Sequence, residues 1–282
     1  MFNFYIRYGP TAGQSLAMHM DVDKIAFTGS SDVGKLIMQY SGKSNLKRVQ
    51  LELGGKSPLV IAPDANIDKA VKIAGFAVFG NNGEQCDAGS RTFVHESMYD
   101  EFVKKAVEHA KSLIVGNAMN EKTDIGPLVD KAQYKKVLEY VEIGKKDGAT
   151  LECGGKSEEF KNGYFVNPVV FSNVTDDMRI AKEEIFGPVQ SIIKYSDFKD
   201  VIKRANNTPY GLASGIVTNN MTNALKYSKE IKSGFVWINT WFQMFPEVEF
   251  GGFKQSGFGK DGGQGAYNEW LLTKAVVSDC SE

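Results

Sequence analysis

The sequence predicts an α/β protein built on largely parallel sheets, and two observations carry that expectation. Short apolar, β-branched runs alternate with segments of helical period along almost the whole chain. Glycine-rich and polar turns separate them, with no internal repeat and no low-complexity tract. A length of 282 residues accommodates one large domain or two ordinary ones.

In chain order, the first unit is a short strand, Lys24-Ile-Ala-Phe-Thr28. A small-residue turn, Gly29-Ser-Ser-Asp-Val-Gly34, and an amphipathic segment to about Tyr40 follow it. Val49-Gln-Leu-Glu-Leu53 alternates as a strand and stops at Gly54-Gly55. Residues 64–79 have helical period and an acidic first turn, which the positive end of a helix dipole favours. Two longer helical patterns cover 98–113 and 131–146. Beyond Gly155, strands are expected near Val169 and over 189–193, 212–217 and 235–238, with helices over 198–206 and 221–231. Phe250-Gly-Gly-Phe-Lys-Gln-Ser-Gly-Phe-Gly259 is too glycine-rich for either element and reads as an ordered loop. Thr273-Lys-Ala-Val-Val277 reads as a last strand whose open edge suits pairing with another subunit. Little sequence precedes the first strand to flank it, so the first sheet reads as half of a domain.

Composition narrows the function classes. Hydrophobic residues at 42% and charged residues at 24% suit a globular protein, and a net charge of -1 provides no attraction for nucleic acid or an anionic membrane. No apolar run is long enough to span a bilayer. The first residues have neither the layout of a secretory signal nor the Arg/Ser bias of a transit peptide. A cytoplasmic location is expected, or the mitochondrial matrix if an N-terminal extension exists. Three cysteines make no disulfide framework, and none of their spacings suits zinc, so no metal site is expected. The N-x-T sequons at Asn173, Asn206 and Asn220 are read as chance.

Two segments have the residue types of a reaction centre. In Gly80-Asn-Asn-Gly-Glu-Gln-Cys86-Asp-Ala-Gly-Ser-Arg91 the cysteine follows a helix pattern among small turn-formers, which would present its sulfur to a cleft. A lone cysteine also serves as a small buried apolar residue, but these polar flanks are poor core material. In Leu51-Glu52-Leu53-Gly54-Gly55-Lys56-Ser57-Pro58 the glutamate lies mid-strand, across the pleat from two leucines. It is either solvent-facing, or buried at a cost that implies a task.

Glu-Leu-Gly-Gly-Lys-Ser-Pro followed by Gly-x-x-Cys-x-Ala-Gly-Ser-Arg, with Cys86 34 residues after Glu52, resembles the two signatures of the aldehyde dehydrogenase superfamily. Gly9-Pro-Thr-Ala-Gly13, Phe27-Thr-Gly-Ser30, Glu184-Ile-Phe-Gly-Pro188 and Phe250-Gly-Gly-Phe-Lys-Gln-Ser-Gly257 extend the resemblance over the chain from about Tyr8. Within the family it is similar to the cytosolic and mitochondrial aldehyde and retinal dehydrogenases, and its tail resembles the dehydrogenase portion of formyltetrahydrofolate dehydrogenase. The implied fold is α/β: a partial Rossmann-like cofactor domain over 1–53, a catalytic domain over 54–253, and a return to the cofactor domain with an oligomerisation strand over 254–282. The resemblance implies Cys86 as nucleophile towards an aldehyde and Glu52 as the base that activates water, giving a carboxylic acid. NAD is the implied cofactor, with NADP as the alternative. It implies contacts to the pyrophosphate from Gly29, Ser30, Ser31, Asp32, Val33 and Gly34, and to a ribose from Gln133 and Lys136. Glu184 would meet the nicotinamide ribose, and Phe186 would lie beside the nicotinamide ring. A homo-oligomer is implied for a complete protein.

Departures from the family pattern bear on activity. The resemblance implies that an N-terminal half, with the asparagine of the oxyanion hole and a ribose-binding lysine, lies outside this sequence. Glu84 and Asp87 make the cysteine loop acidic, and nearby negative charge raises a thiol pKa, so a sluggish Cys86 is expected. Glu247-Val-Glu-Phe250 and Gly262 alter the substrate mouth and the closing helix. The alternative is a catalytically silent relative that keeps the fold; cofactor-free esterase chemistry at Cys86 is a third reading. Gly-Lys-Ser ends at Ser44, Ser57 and Ser157, but Ile37, Gln50 and Thr150 stand where a phosphate-binding loop needs glycine.

Overall fold

A computed structural model describes residues 3, 4, 6–157, 160 and 163–279. In chain order the elements are α1 (Gln14–Met18), β1 (Lys24–Thr28), α2 (Ser31–Lys43), β2 (Arg48–Glu52), β3 (Pro58–Ile61), α3 (Ile67–Phe79), β4 (Arg91–His95), α4 (Tyr99–Ser112) and α5 (Lys131–Lys146). There follow β5 (Thr150–Lys156), β6 (Val166–Ser172), α6 (Arg179–Lys182), β7 (Val189–Tyr195), α7 (Phe198–Asn206), β8 (Ala213–Val217), α8 (Met221–Glu230), β9 (Phe235–Ile238), β10 (Gly257–Phe258) and α9 (Gly263–Glu269).

Local chemistry sets the helix starts. Asn66, Asp130, Asp197 and Asn220 each accept, from the residue three places on, the backbone N–H that the first turn leaves unpaired, at 2.9, 2.8, 2.7 and 3.1 Å. Two sequon asparagines thus serve the fold: Asn220 caps α8, and Asn206 bonds Glu230 O and Lys232 N.

The strands form two sheets. Seven lie in the order β5-β6-β7-β4-β3-β8-β9, every pairing parallel except the antiparallel edge pair β5-β6. The other sheet is β1-β2-β10, with β1 and β2 parallel and β10 antiparallel to β2. Helices cover both faces of the large sheet and bury its centre: β3 and β8 are buried at every residue. The small sheet has its own core of Ala17, Ile37, Leu51 and Leu53. Among the described residues no helix is long and apolar enough to cross a membrane.

Two expectations need correction. Residues 273–277 form no strand, because a strand requires a ladder partner and none lies beside them among the described residues; Val276 and Val277 are exposed. Cys153 lies in edge strand β5 at a register shift, while Cys280 lies outside the described residues. Part of the glycine-rich loop becomes β10, pairing Gly257 with Glu52.

Candidate active site

Thr28, Gly29 and Ser30 leave the C-terminal end of β1, and Glu52 is the last residue of β2. Parallel strands therefore deliver these residues to one edge, the edge at which open α/β sheets receive ligands. Glu52 is strand-terminal rather than mid-strand. It is also not solvent-facing: Leu51, Glu52 and Leu53 are all buried, because β10 covers the strand on one side and its neighbours pack on both faces. The loop that ends in β10 is fastened to this strand by Ser256, whose Oγ donates to Gly54 O at 2.7 Å and whose carbonyl accepts from Leu53 N at 2.9 Å.

Cys86 arrives from the other sheet. After α3 the chain makes one tight turn, Gly80–Gly83, with Asn81 and Asn82 in the left-handed region. Short polar asparagines tolerate that region, and Asn82 bridges to Pro127 O and Gly126 N at 2.9 and 3.0 Å, fixing the turn. The Gly54-Gly55 pair lets the components close up. A Cβ on Gly55 would meet Cys86 O at 2.3 Å, and one on Gly54 would meet Glu184 Oε2 at 2.3 Å. In their absence Gly55 N donates to Glu184 Oε1 at 3.0 Å.

Cys86 and Glu52 open onto one cavity of about 640 Å³. Gly29, Ser30, Gln133, Lys136, Glu184 and Phe186 line the same space, so residues spread over most of the chain converge there. A second cavity of about 730 Å³ shares Ser30, Lys136 and Glu184 with the first and adds Ser31 and Asp32. Two expected residues line neither. Val33 gives its N–H to Ser30 Oγ at 3.4 Å, and Gly34 packs so closely on Leu53 that an added Cβ would lie 2.7 Å from it. Gln133 lines the cavity but is already engaged: its Nε2 donates to Ile185 O and Phe186 O at 2.9 and 2.6 Å, and so holds the loop that carries Phe186 at φ 61°. Phe242, Met244 and Phe250 also line the cavity. Phe242 and Met244 lie in an aromatic stretch whose apolar residues could as well have been core, so residue type alone did not single them out.

The electrostatics of the cavity disfavour charge on its cysteine and carboxylates. Burial, then the charges of Asp87, Glu184 and Glu52, pushes the Cys86 thiol up to about 12. Burial, then the Asp261 charge, pushes Glu52 up to about 8, against Lys260. Both Glu52 carboxylate oxygens are buried without a hydrogen-bond partner. Asp87 is buried and pushed up to about 6 for the same first reason. The expected acidity of the cysteine loop therefore acts through Asp87, while Glu84 accepts from Val129 N at 3.2 Å and ties down the loop leading to α5.

The chain is similar to known proteins in both sequence and fold. The aldehyde dehydrogenase family profile matches residues 1–276. Aldehyde dehydrogenase 1A1 of Mesocricetus auratus is 54% identical over 275 residues, which are 98% of this chain and 55% of that protein. The Homo sapiens protein of the same name is 53% identical over the same shares. The chain thus spans about half the length of these relatives. Among solved structures, the NAD+ complex of a Bacillus cereus aldehyde dehydrogenase superposes with a TM-score of 0.94 at 43% identity, over 97% of this chain and 55% of that one. A P. syringae indole-3-acetaldehyde dehydrogenase mutant in complex with NAD+ superposes with a TM-score of 0.91 at 42% identity, over 93% and 54%. By sequence profile, relatives and fold, the chain belongs to the aldehyde dehydrogenase family.

Proposed function

We propose that the protein oxidises aldehydes to carboxylic acids with NAD as hydride acceptor. One observation carries the reading: Cys86 and Glu52 line one cavity, and both Glu52 oxygens are buried without a hydrogen-bond partner. Cys86 Sγ adds to the aldehyde carbon, and the carbonyl electron pair moves to oxygen. Bound NAD supplies the acceptor for the hydride that leaves this carbon, so the sulfur is left holding a thioester. Glu52 then takes a proton from water, whose oxygen adds to the thioester carbon, and the Cys86 thiolate departs as the acid forms.

The residues fit a dinucleotide. The first turn of α2 faces the second cavity through Ser30 and Ser31, and its leading N–H groups have no partner within the helix. Glu184 and Lys136 line both cavities, placed to meet the hydroxyls of a ribose lying between them. In the free chain a thiol near 12 and a Glu52 near 8 are both protonated at neutral pH. Positive charge entering the cavity lowers both, so a cationic nicotinamide ring would prime the nucleophile as well as accept the hydride. We also read residues 1–53 and 254–282 as the cofactor side, 54–253 as the catalytic side, and the exposed C-terminal segment as a contact in a homo-oligomer.

The test is reduction of NAD by an aldehyde, followed optically. Cys86→Ala should abolish it. Glu52→Gln should permit a first turnover and then slow the steady state by about 10²–10⁴. The high thiol pKa favours a second reading, a silent family member. Absence of both reduction and an NAD-dependent thermal shift in the unmutated chain would decide for it.

A further inference from the structure

Lys56 is a buried cation that the proposed reaction does not use. It follows the Gly54-Gly55 turn, is 1% exposed, and its Nζ is buried without a hydrogen-bond partner. An ammonium in such a place is costly unless it acts on a charge nearby. The carboxylate that the fold brings there is Glu184. Its Oε1 accepts from Gly55 N at 3.0 Å, and its Oε2 fills the space that a side chain on Gly54 would need. Glu184 is thus held on the two residues that precede Lys56. Lys56 itself lines a small cavity whose wall shares Asn206 and Tyr210 with the larger cavity that Glu184 lines.

The charges agree with this placement. Burial, then the Arg91 charge, pushes Lys56 down to about 7, and among the carboxylates that oppose this Glu184 acts more strongly than Glu183. Burial raises the Glu184 carboxyl, while the Gly55 N–H, Lys136 and Lys56 hold it down. Arg91 is engaged elsewhere, by the carbonyls of Lys56 and Ala205. Around the pair stand Lys232 and Tyr210 on the small cavity, Lys136 of α5 and Glu183 on the larger one, and the Cys86 thiol, which feels Glu184. Asp32 and Lys35 of α2, Tyr140 of α5, Asp176 and Lys182 complete the titratable groups in the wall of the larger cavity.

We propose that Lys56 is a positioning residue for the cofactor: its ammonium holds Glu184 in the ionised form that accepts hydrogen bonds from ribose hydroxyls. The ribose contact rests on the NAD reading, whereas the coupling of Lys56 to Glu184 is measured on the chain without NAD. A charged Lys56 lowers the Glu184 pKa, and the charged Glu184 raises the Lys56 pKa by the same amount, because coupling is reciprocal.

The readout is 13C NMR of the Glu184 carboxyl and the Lys56 Cε in the full chain, each assigned through bonds to its backbone. In Lys56→Met the Glu184 titration should move to higher pH by about one unit. In Glu184→Gln the Lys56 titration should move to lower pH by a like amount, so a fold lost in one variant leaves the other as the test. A titration that stays in place in the folded variant overturns the proposal. NAD affinity of Lys56→Met, measured from about pH 5 to about pH 9, should be about tenfold weaker at the acid end and equal to that of the unmutated chain at the alkaline end, where Glu184 ionises without help. A loss equal at every pH would make Lys56 a structural residue alone and overturn the positioning role. Coupled titrations with no NAD binding by the unmutated chain would sink the NAD reading and leave the coupling standing. NAD binding without coupled titrations would do the reverse.

Discussion

Replacing Asp87 by Asn should make Cys86 react faster, by an amount that follows from its surroundings. Burial is the largest cause of the high thiol pKa and Asp87 the second, ahead of Glu184 and Glu52. A like charge within the roughly 4–6 Å over which neighbours shift a pKa contributes about 3–4 kcal/mol in an effective dielectric of about 20. The cavity admits solvent, so roughly half of that is retained, about one pKa unit. Because the removed charge is negative, the thiol pKa falls. Below the pKa the thiolate fraction then rises about tenfold, while a less basic thiolate attacks more slowly, leaving a net gain of about threefold. The assay is the iodoacetamide rate at Cys86 from about pH 7 to about pH 10, with the Cys153 rate as reference. A Cys86 profile that stays in place, or moves to higher pH, would refute the charge argument. Equal acceleration at Cys153 would mark a loosened fold.

Three further outcomes follow. Glu52 has its folded pKa raised to about 8 from 4.5, so its contribution to stability is fully present at low pH and is lost as pH rises through about 8. After discounting for solvent in the open cavity, the loss between about pH 5 and about pH 9 should be about 2 kcal/mol in urea unfolding, and Glu52→Gln should remove that part of the slope. In Gly54→Ala the new methyl group would occupy the place of Glu184 Oε2, expelling that carboxylate from its bond to Gly55 N. NAD-dependent thermal stabilisation should fall with it, at a cost to the fold of about 1–3 kcal/mol; an unaltered NAD shift would remove Glu184 from the cofactor site. Asp130→Ala deletes the cap of α5 and should cost about 1 kcal/mol by urea unfolding without changing the Cys86 alkylation rate.

Locally encoded features are legible in the sequence alone. The limits of α5, α7 and β9 coincide with the sequence reading, because side-chain caps and hydrophobic period act within a few residues. The motif around Cys86 and the one around Glu52 marked out the two residues that meet in the cavity. The missed strands β3 and β4 are central: burial on both faces leaves β3 without alternation, and β4 carries Arg91, whose guanidinium is buried on the carbonyls of Lys56 and Ala205.

What tertiary structure decided is the set of relations between distant segments. The resemblance implies Gln133 as a ribose contact, and the structure adds that its amide bonds carbonyls 52 and 53 residues away and fixes the Phe186 loop. Val33 and Gly34 belong to the phosphate-binding pattern, but a cap and a close packing against Leu53 take them out of the cavity. Residues 273–277, expected as a final strand, pair with no other strand among the described residues. The motifs in the sequence carry the family resemblance that implies roles for Cys86 and Glu52. Their burial, and hence their charge state, arose only when two sheets closed over them, because desolvation depends on every neighbour at once and not on the local order of residues.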